Sequence, residues 1–303
     1  MRVWVPYADV VPRLPATLTV DVYDGSGPPP STLDEVEFYV TPYTFDRGPL
    51  ELIPRMPKVR VVQTLTAGYE HVLAYLREGV TLCNAGGLHD TSTAELAVAL
   101  TLAALRGIPE FVRAQDRREW RSVRHDALAD RTVLIVGYGG IGAAIERRLA
   151  GFEVEVLRVA RRERDGVAPV TALPELLPRA DVVILSMPLT GQTRRMVDAA
   201  FLARMRDGAL LVNVARGGVV DTDALLAELS SGRLRAALDV TDPEPLPADH
   251  PLWSAPNLLI SPHVGGNSSA FLPRAHRLIV EQLQRYAAGE PLRHQVVPAP
   301  ERE

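Results

Sequence analysis

The chain of 303 residues has a single cysteine, Cys83, so it can form no intrachain disulfide and no cysteine-based metal site. A half-buried place at a strand end is the expectation for that thiol. None of the seven histidines (71, 89, 125, 250, 263, 276, 294) falls into an HxxxH or HExxH pair, so metal is not expected to take part. Charge of one sign is scarce as well. Lys plus Arg number 33 against 37 Asp plus Glu, a net −4, which argues against nucleic acid or an anionic membrane as the main partner. Apolar runs such as TVLIVG and DVVILSMPL stay far below the roughly 20 residues of a spanning helix. The opening MRVWVPYADVVPRLP is broken by prolines and lacks a signal-peptide core, so a cytoplasmic protein is expected.

What is present is alternation. From residue 131 onward, strand-like runs (TVLIVG, VEVLRVA, DVVILSM, ALLVNVA, RAALDV, NLLISPH) alternate with amphipathic stretches such as IGAAIERRLAGF and DTDALLAELSSG. Gly232 reads as a helix stop. Six strands in βα order predict a parallel, doubly wound sheet. Residues 1–95 supply five shorter strand candidates (RVWV, LTVDVY, EFYVT, VRVVQTL, VTLCNA). Helical stretches at 93–106 and 269–290 bracket the second sheet, so one domain inserted in another explains the order best. The last dozen residues read as Pro-rich coil with a short VV pair.

Gly137-x-Gly139-x-x-Gly142 directly follows the strand TVLIV and opens a helix, the context that turns a weak glycine signature into a dinucleotide site. Its first glycine permits a tight turn, the second a close approach of backbone to diphosphate, and the third strand–helix packing. The N–H groups around Gly140 and Ile141 would face the anion. Eighteen positions beyond Gly142 stands Ala160, where an NAD site usually has an acid, followed by Arg161 and Arg162 with Arg158 and Arg164 nearby. Guanidinium groups suit a 2′-phosphate, so NADP(H) is favoured, with NAD(H) as the alternative.

Gly137, Arg216, Asp239 and His263 each fall within a residue or two of a predicted strand's carboxyl end, so the topology can gather them in one crevice. These residues resemble the pattern of the D-isomer-specific 2-hydroxyacid dehydrogenases. The resemblance runs through TAGYEHV (66–72), CNAGGLHDTSTAEL (83–96), GYGGIG (137–142), SMPLTGQT (186–193), NVARGGVVD (213–221), LDVTDPEPLPADHPLW (238–253) and SPHVGG (261–266).

The resemblance implies an α/β protein of two doubly wound parallel-sheet domains. A Rossmann cofactor domain (96–269) would be inserted into a flavodoxin-like substrate domain (1–95 and 270–303). It further implies that Arg216 binds the substrate carboxylate and polarises the keto oxygen, and that His263 donates a proton to that oxygen. Glu244 would pair with His263 and favour its protonated form; Asp242 is the rival partner. The backbone N–H groups of Ala67 and Gly68 would complete the carboxylate cradle. Asp239 would orient the nicotinamide carboxamide, Ala215 would line its pocket, and Pro188 and Thr193 would contact the cofactor.

Two features depart from the family pattern: Ser186 stands where many members carry His, and the VGxD-like loop reads AGYE. Glu rather than Gln at 244 disfavours formate oxidation. The expected activity is NADPH-dependent reduction of a small 2-keto acid such as glyoxylate or hydroxypyruvate, by a homodimer whose interface helices lie in 93–120. The alternatives are a cofactor-sensing scaffold of the corepressor type and phosphite oxidation.

Overall fold

A computed structural model describes residues 1–297. Residues 298–303 of the predicted substrate domain lie outside the described residues. Its strands are β1 (Arg2–Val5), β2 (Thr19–Val22), β3 (Val36–Val40), β4 (Val61–Gln63), β5 (Thr81–Cys83), β6 (Thr132–Val136), β7 (Glu155–Ala160), β8 (Ala168–Pro169), β9 (Val182–Leu185), β10 (Leu210–Asn213), β11 (Arg235–Leu238), β12 (Leu258–Ile260) and β13 (Gln295–Val297). They form two sheets in two compact units. One unit comprises Met1–His89 and the chain from Ser269 on, the other Asp90–Ser268.

The first unit's sheet runs β13-β5-β4-β3-β1-β2, and β1 to β5 are all parallel. The order 2-1-3-4-5 is that of a flavodoxin-like sheet. Side chains alternate between its faces, as the period of two requires. Val3, Val5, Phe38, Val40 and Val61 pack with Phe271, Ala275, Ile279 and Leu283 of the helix Phe271–Ala288. Trp4, Tyr39, Val62 and Leu82 face the opposite way, onto Leu50, Ile53 and Met56. β13 corrects the expectation of coil there: it pairs antiparallel with β5, at the margin of the otherwise parallel sheet.

The second unit's sheet runs β12-β11-β10-β9-β6-β7-β8, entirely parallel, which extends the Rossmann order 3-2-1-4-5-6 by one strand. Here too the faces alternate. Val133, Ile135, Val182, Ile184, Leu210 and Val212 are covered by the helices Asp90–Leu105 and Gly140–Leu149. Leu134, Val136, Val183, Leu185 and Leu211 are covered by Phe201 and Leu202 of the helix Ala199–Arg204 and by Leu225 and Leu229 of Thr222–Ser230. Gly232 adopts φ 74° just past that last helix, as a C-terminal stop does.

The boundary falls at His89/Asp90 rather than at 95/96, because the whole helix Asp90–Leu105 packs on helix Gly140–Leu149 and on β10. Among the described residues, no helix is long and apolar enough to cross a membrane. None of their acidic, histidine or cysteine side chains form a group able to hold a metal ion.

Candidate active site

The strand order of the second sheet reverses between β6 and β9, and the glycine loop crosses that point. Gly137 has φ 100°, and a Cβ there would stand 2.4 Å from Met187 N. One at Gly142 would stand 2.7 Å from Gly137 O. Both positions therefore require glycine. Gly139 has no atom within 4 Å of its Cβ direction, so that side of the loop is open to a ligand. Gly140 and Ile141 begin the helix Gly140–Leu149. Ser186, which the sequence leaves without a role, donates its hydroxyl to Gly137 O at 2.8 Å and clamps the two loops together. Nearby, Thr193 donates to Pro188 O at 2.7 Å within a turn that also binds Thr190 N.

At the end of β7 the four arginines separate into two kinds. Arg158 grips the two Glu146 oxygens through Nε at 2.9 and 2.8 Å, and the Tyr138 hydroxyl is bonded to the same carboxylate. The Arg158 guanidinium holds the Glu146 carboxyl below its usual pKa, and Glu146 raises that of Arg158 in return. Arg164 donates to Tyr138 O and lies 5.6 Å from that ring's centroid. Arg161 and Arg162 are exposed and make no ion pair among the described residues. With an open side at Gly139 and a helix start at Gly140, the residues present fit a dinucleotide.

β10, β11 and β12 are parallel neighbours in register, with Asn213, Leu238 and Ile260 side by side. Arg216, Asp239 and His263 follow them by three, one and three residues, so all three leave the same sheet edge. Asn213, only 1% exposed, shapes the first of these loops. Its Oδ1 accepts from Ala215 N at 3.0 Å and its Nδ2 donates to Arg216 O at 3.1 Å. Ala215 is buried, and its carbonyl accepts from Arg216 Nη1 at 2.7 Å. The loop then presses on the next one: a Cβ at Gly217 would stand 1.8 Å from Thr241 O.

Asp239 is 2% exposed. Its carboxylate accepts from Ser261 Oγ at 2.6 Å and from Val264 and Gly265 N–H at 2.9 Å each. The Asp239 carbonyl accepts His263 N–H at 2.7 Å. The side chain expected to face the cofactor is thus bonded into the loop that carries His263. His263 itself has φ 53°, a left-handed conformation uncommon in a non-glycine residue. Its Nδ1 is hydrogen-bonded to a Glu244 carboxylate oxygen, with both side chains about a third exposed (29% and 33%). Asp242, the rival, instead has its carboxylate beside Gly218 and its carbonyl bonded by Thr222 Oγ at 2.8 Å.

In the first unit, Ala67 and Gly68 follow β4 in a turn held by Asn84 Nδ2, which donates to Ala67 O at 2.7 Å, and by Thr66 Oγ, which donates to Gly68 O at 2.6 Å. The N–H groups of Ala67 and Gly68 have no acceptor among the described residues, although Gly68 is buried. Two adjacent free donors suit a carboxylate.

Residues 98–265 match the family model for the NAD-binding domain of D-isomer-specific 2-hydroxyacid dehydrogenases. A glyoxylate reductase of Korarchaeum cryptofilum is 34% identical over 254 residues, 79% of this chain and 76% of that protein. Among solved structures, a D-isomer-specific 2-hydroxyacid dehydrogenase of Xanthobacter autotrophicus Py2, in complex with NADPH and MES, superposes with a TM-score of 0.81 at 31% identity, covering 98% of both chains. An NADPH-dependent glyoxylate/hydroxypyruvate reductase of Sinorhizobium meliloti, in complex with NADP and sulfate, does so with 0.82 at 28% identity, covering 97% of this chain and 98% of its own. Fold and site define an NAD(P)-dependent oxidoreductase. The chain belongs to the D-isomer-specific 2-hydroxyacid dehydrogenase family.

Proposed function

We propose that this protein reduces a small 2-keto acid of the glyoxylate or hydroxypyruvate kind to the D-2-hydroxy acid, with NADP(H) favoured over NAD(H). The observation that carries this reading is the arrival of Arg216, Asp239 and the His263–Glu244 pair at one edge of three adjacent parallel strands, in the sheet that also holds the glycine loop. The relatives named as glyoxylate reductases support the substrate class.

In this reading Arg216 binds the substrate carboxylate and polarises the keto oxygen, and the Ala67 and Gly68 N–H groups are donors of a kind that binds a carboxylate. With Nδ1 of His263 bonded to Glu244, Nε2 is the atom assigned to give a proton to the keto oxygen. Glu244 fixes the ring's orientation and stabilises the imidazolium. The bound cofactor supplies the hydride. Gly137, Gly139, Gly140, Ile141 and Gly142 hold its diphosphate, Ala215, Pro188 and Thr193 line its path, and Asp239 positions the loop beside its nicotinamide end. Arg161 and Arg162 take the 2′-phosphate.

NADPH consumption with a panel of 2-keto acids tests the proposal. Arg216→Ala should abolish turnover while leaving NADPH binding nearly intact; no turnover of any keto acid by the unaltered chain would favour the binding scaffold.

We propose further that the protein is a cytoplasmic homodimer. The helix Ile108–Asp116 buries only Ala114, and it exposes Ile108 and Val112 close in sequence to exposed Trp120 and Val123. Light scattering that finds a monomer would refute the dimer.

A further inference from the structure

The first turn of the helix Asp90–Leu105 touches both the glycine loop that follows β6 and the loop that follows β12. A Cβ built on Gly140 would stand 2.1 Å from Asp90 Oδ2, 2.9 Å from its Cγ and 3.2 Å from its Oδ1. The Asp90 carboxylate is therefore packed on the residue that opens the helix Gly140–Leu149. One turn further, Thr93 Oγ1 and Cγ2 lie 3.4 Å from the Cβ direction of Gly265, whose N–H is bonded to Asp239. Both helices belong to the same unit and pack along each other. Glycine at 140 is thus accounted for by a carboxylate as well as by any approaching ligand.

A helix N-terminus carries partial positive charge and favours an anion. Asp90 already supplies one there, beside the loop whose open Gly139 side would receive a diphosphate. Two anions at one helix start repel each other. We propose that Asp90 sets the cofactor affinity. Its carboxylate complements the helix start while the site is free and weakens the hold on the cofactor's diphosphate, which speeds release after turnover. Release of product or cofactor limits turnover in many enzymes, so a residue that loosens the diphosphate acts on a step that matters. Asp90 is a positioning residue and touches no reacting atom. The inference rests on the glycine loop being the dinucleotide site.

The test uses the full chain and two probes, ADP by calorimetry and NADPH by fluorescence. ADP carries the diphosphate but neither nicotinamide nor 2′-phosphate. Asp90→Asn should bind both probes roughly tenfold more tightly, and NADPH should dissociate correspondingly more slowly in stopped flow. The gain should shrink as salt rises. Asp90→Glu, which keeps the charge, should stay near the unaltered protein, and adenosine, which has no phosphate, should not distinguish the three. Equal or weaker ADP binding by folded Asp90→Asn overturns the proposal, as does equal tightening for adenosine. Should Asn prevent folding, Asp90→Ser carries the same expectation and the same refutation. Failure of every form to bind ADP overturns the dinucleotide reading together with the inference, an outcome distinct from equal binding.

Discussion

Each unit buries a hydrogen-bonded polar network, and these two serve different ends. In the first unit, Gln63 and Gln282, both fully buried, bond to each other at 2.6 Å. Gln63 Nε2 also donates to Thr64 O and Asn84 O, while Gln282 bonds the backbone N–H and carbonyl of Arg293. That network fastens the segment leading to β13. In the second unit, buried Asp239 gathers three donors and fastens the loop bearing His263. Buried polar groups are affordable only when their bonds are made, and here one satisfied network secures a chain segment while the other secures chemistry.

The largest effect should come from Asp239→Ala. It strands three donors, two of them backbone, so urea denaturation should show a loss of about 3 kcal/mol or more. Activity should fall further than that unfolding explains, because the loop bearing His263 loses the carboxylate that bonds Ser261, Val264 and Gly265. If stability drops but the residual folded fraction turns over normally, the network does not serve the site. Gln282→Ala should cost about 2 kcal/mol and raise hydrogen exchange at residues 293–297, with KM and kcat of the folded protein unchanged. A matching loss of activity would erase the distinction between the two networks.

Arg161→Ala with Arg162→Ala sharpens the contrast from the exposed side. Stability should stay within about 0.5 kcal/mol, as for surface changes in general. The ratio of NADPH to NADH affinity should fall by tenfold or more. An unchanged ratio would remove the basis for the cofactor preference.

Smallest is Glu146→Gln. Arg158 depresses the folded-state pKa of Glu146. The stability from that pair is therefore present above the unfolded carboxyl value of about 4.3 and lost as pH falls through the lower folded value. The difference between the unaltered protein and Glu146→Gln should be a few tenths to about 1 kcal/mol at pH 7, and should vanish towards pH 3. A difference that grows on acidification would contradict the assigned cause.

Much of this was legible in residue order. The apolar runs at 132–137, 181–187 and 209–215 become β6, β9 and β10, because strands buried on both faces need near-continuous apolar sequence. Gly137, Arg216 and His263 were legible because each punctuates such a run. Other features depend on tertiary partners. Arg158 and Arg161 look alike in the basic turn, and only Glu146, twelve residues away on a helix, separates the bound guanidinium from the free one. Ser261, Asn213 and Ser186 carry no signal of their own; each acquires a role only when a neighbouring loop offers an acceptor or donor. Two-residue β8 and three-residue β13 are too short to show a period. The helix Asp90–Leu105 begins three residues ahead of the expected 93, because its first turn, Asp-Thr-Ser-Thr, reads as loop composition.

β13 is a modest strand, yet it hems the outer margin of β5. Asn84 N–H reaches His294 O just before it, at 3.0 Å. A chain stopped ahead of Gln295 would leave that margin as a bare row of backbone donors and acceptors, an invitation to a neighbouring molecule. Turbidity on concentration, more than any change in melting, would then be the first sign of the missing hem.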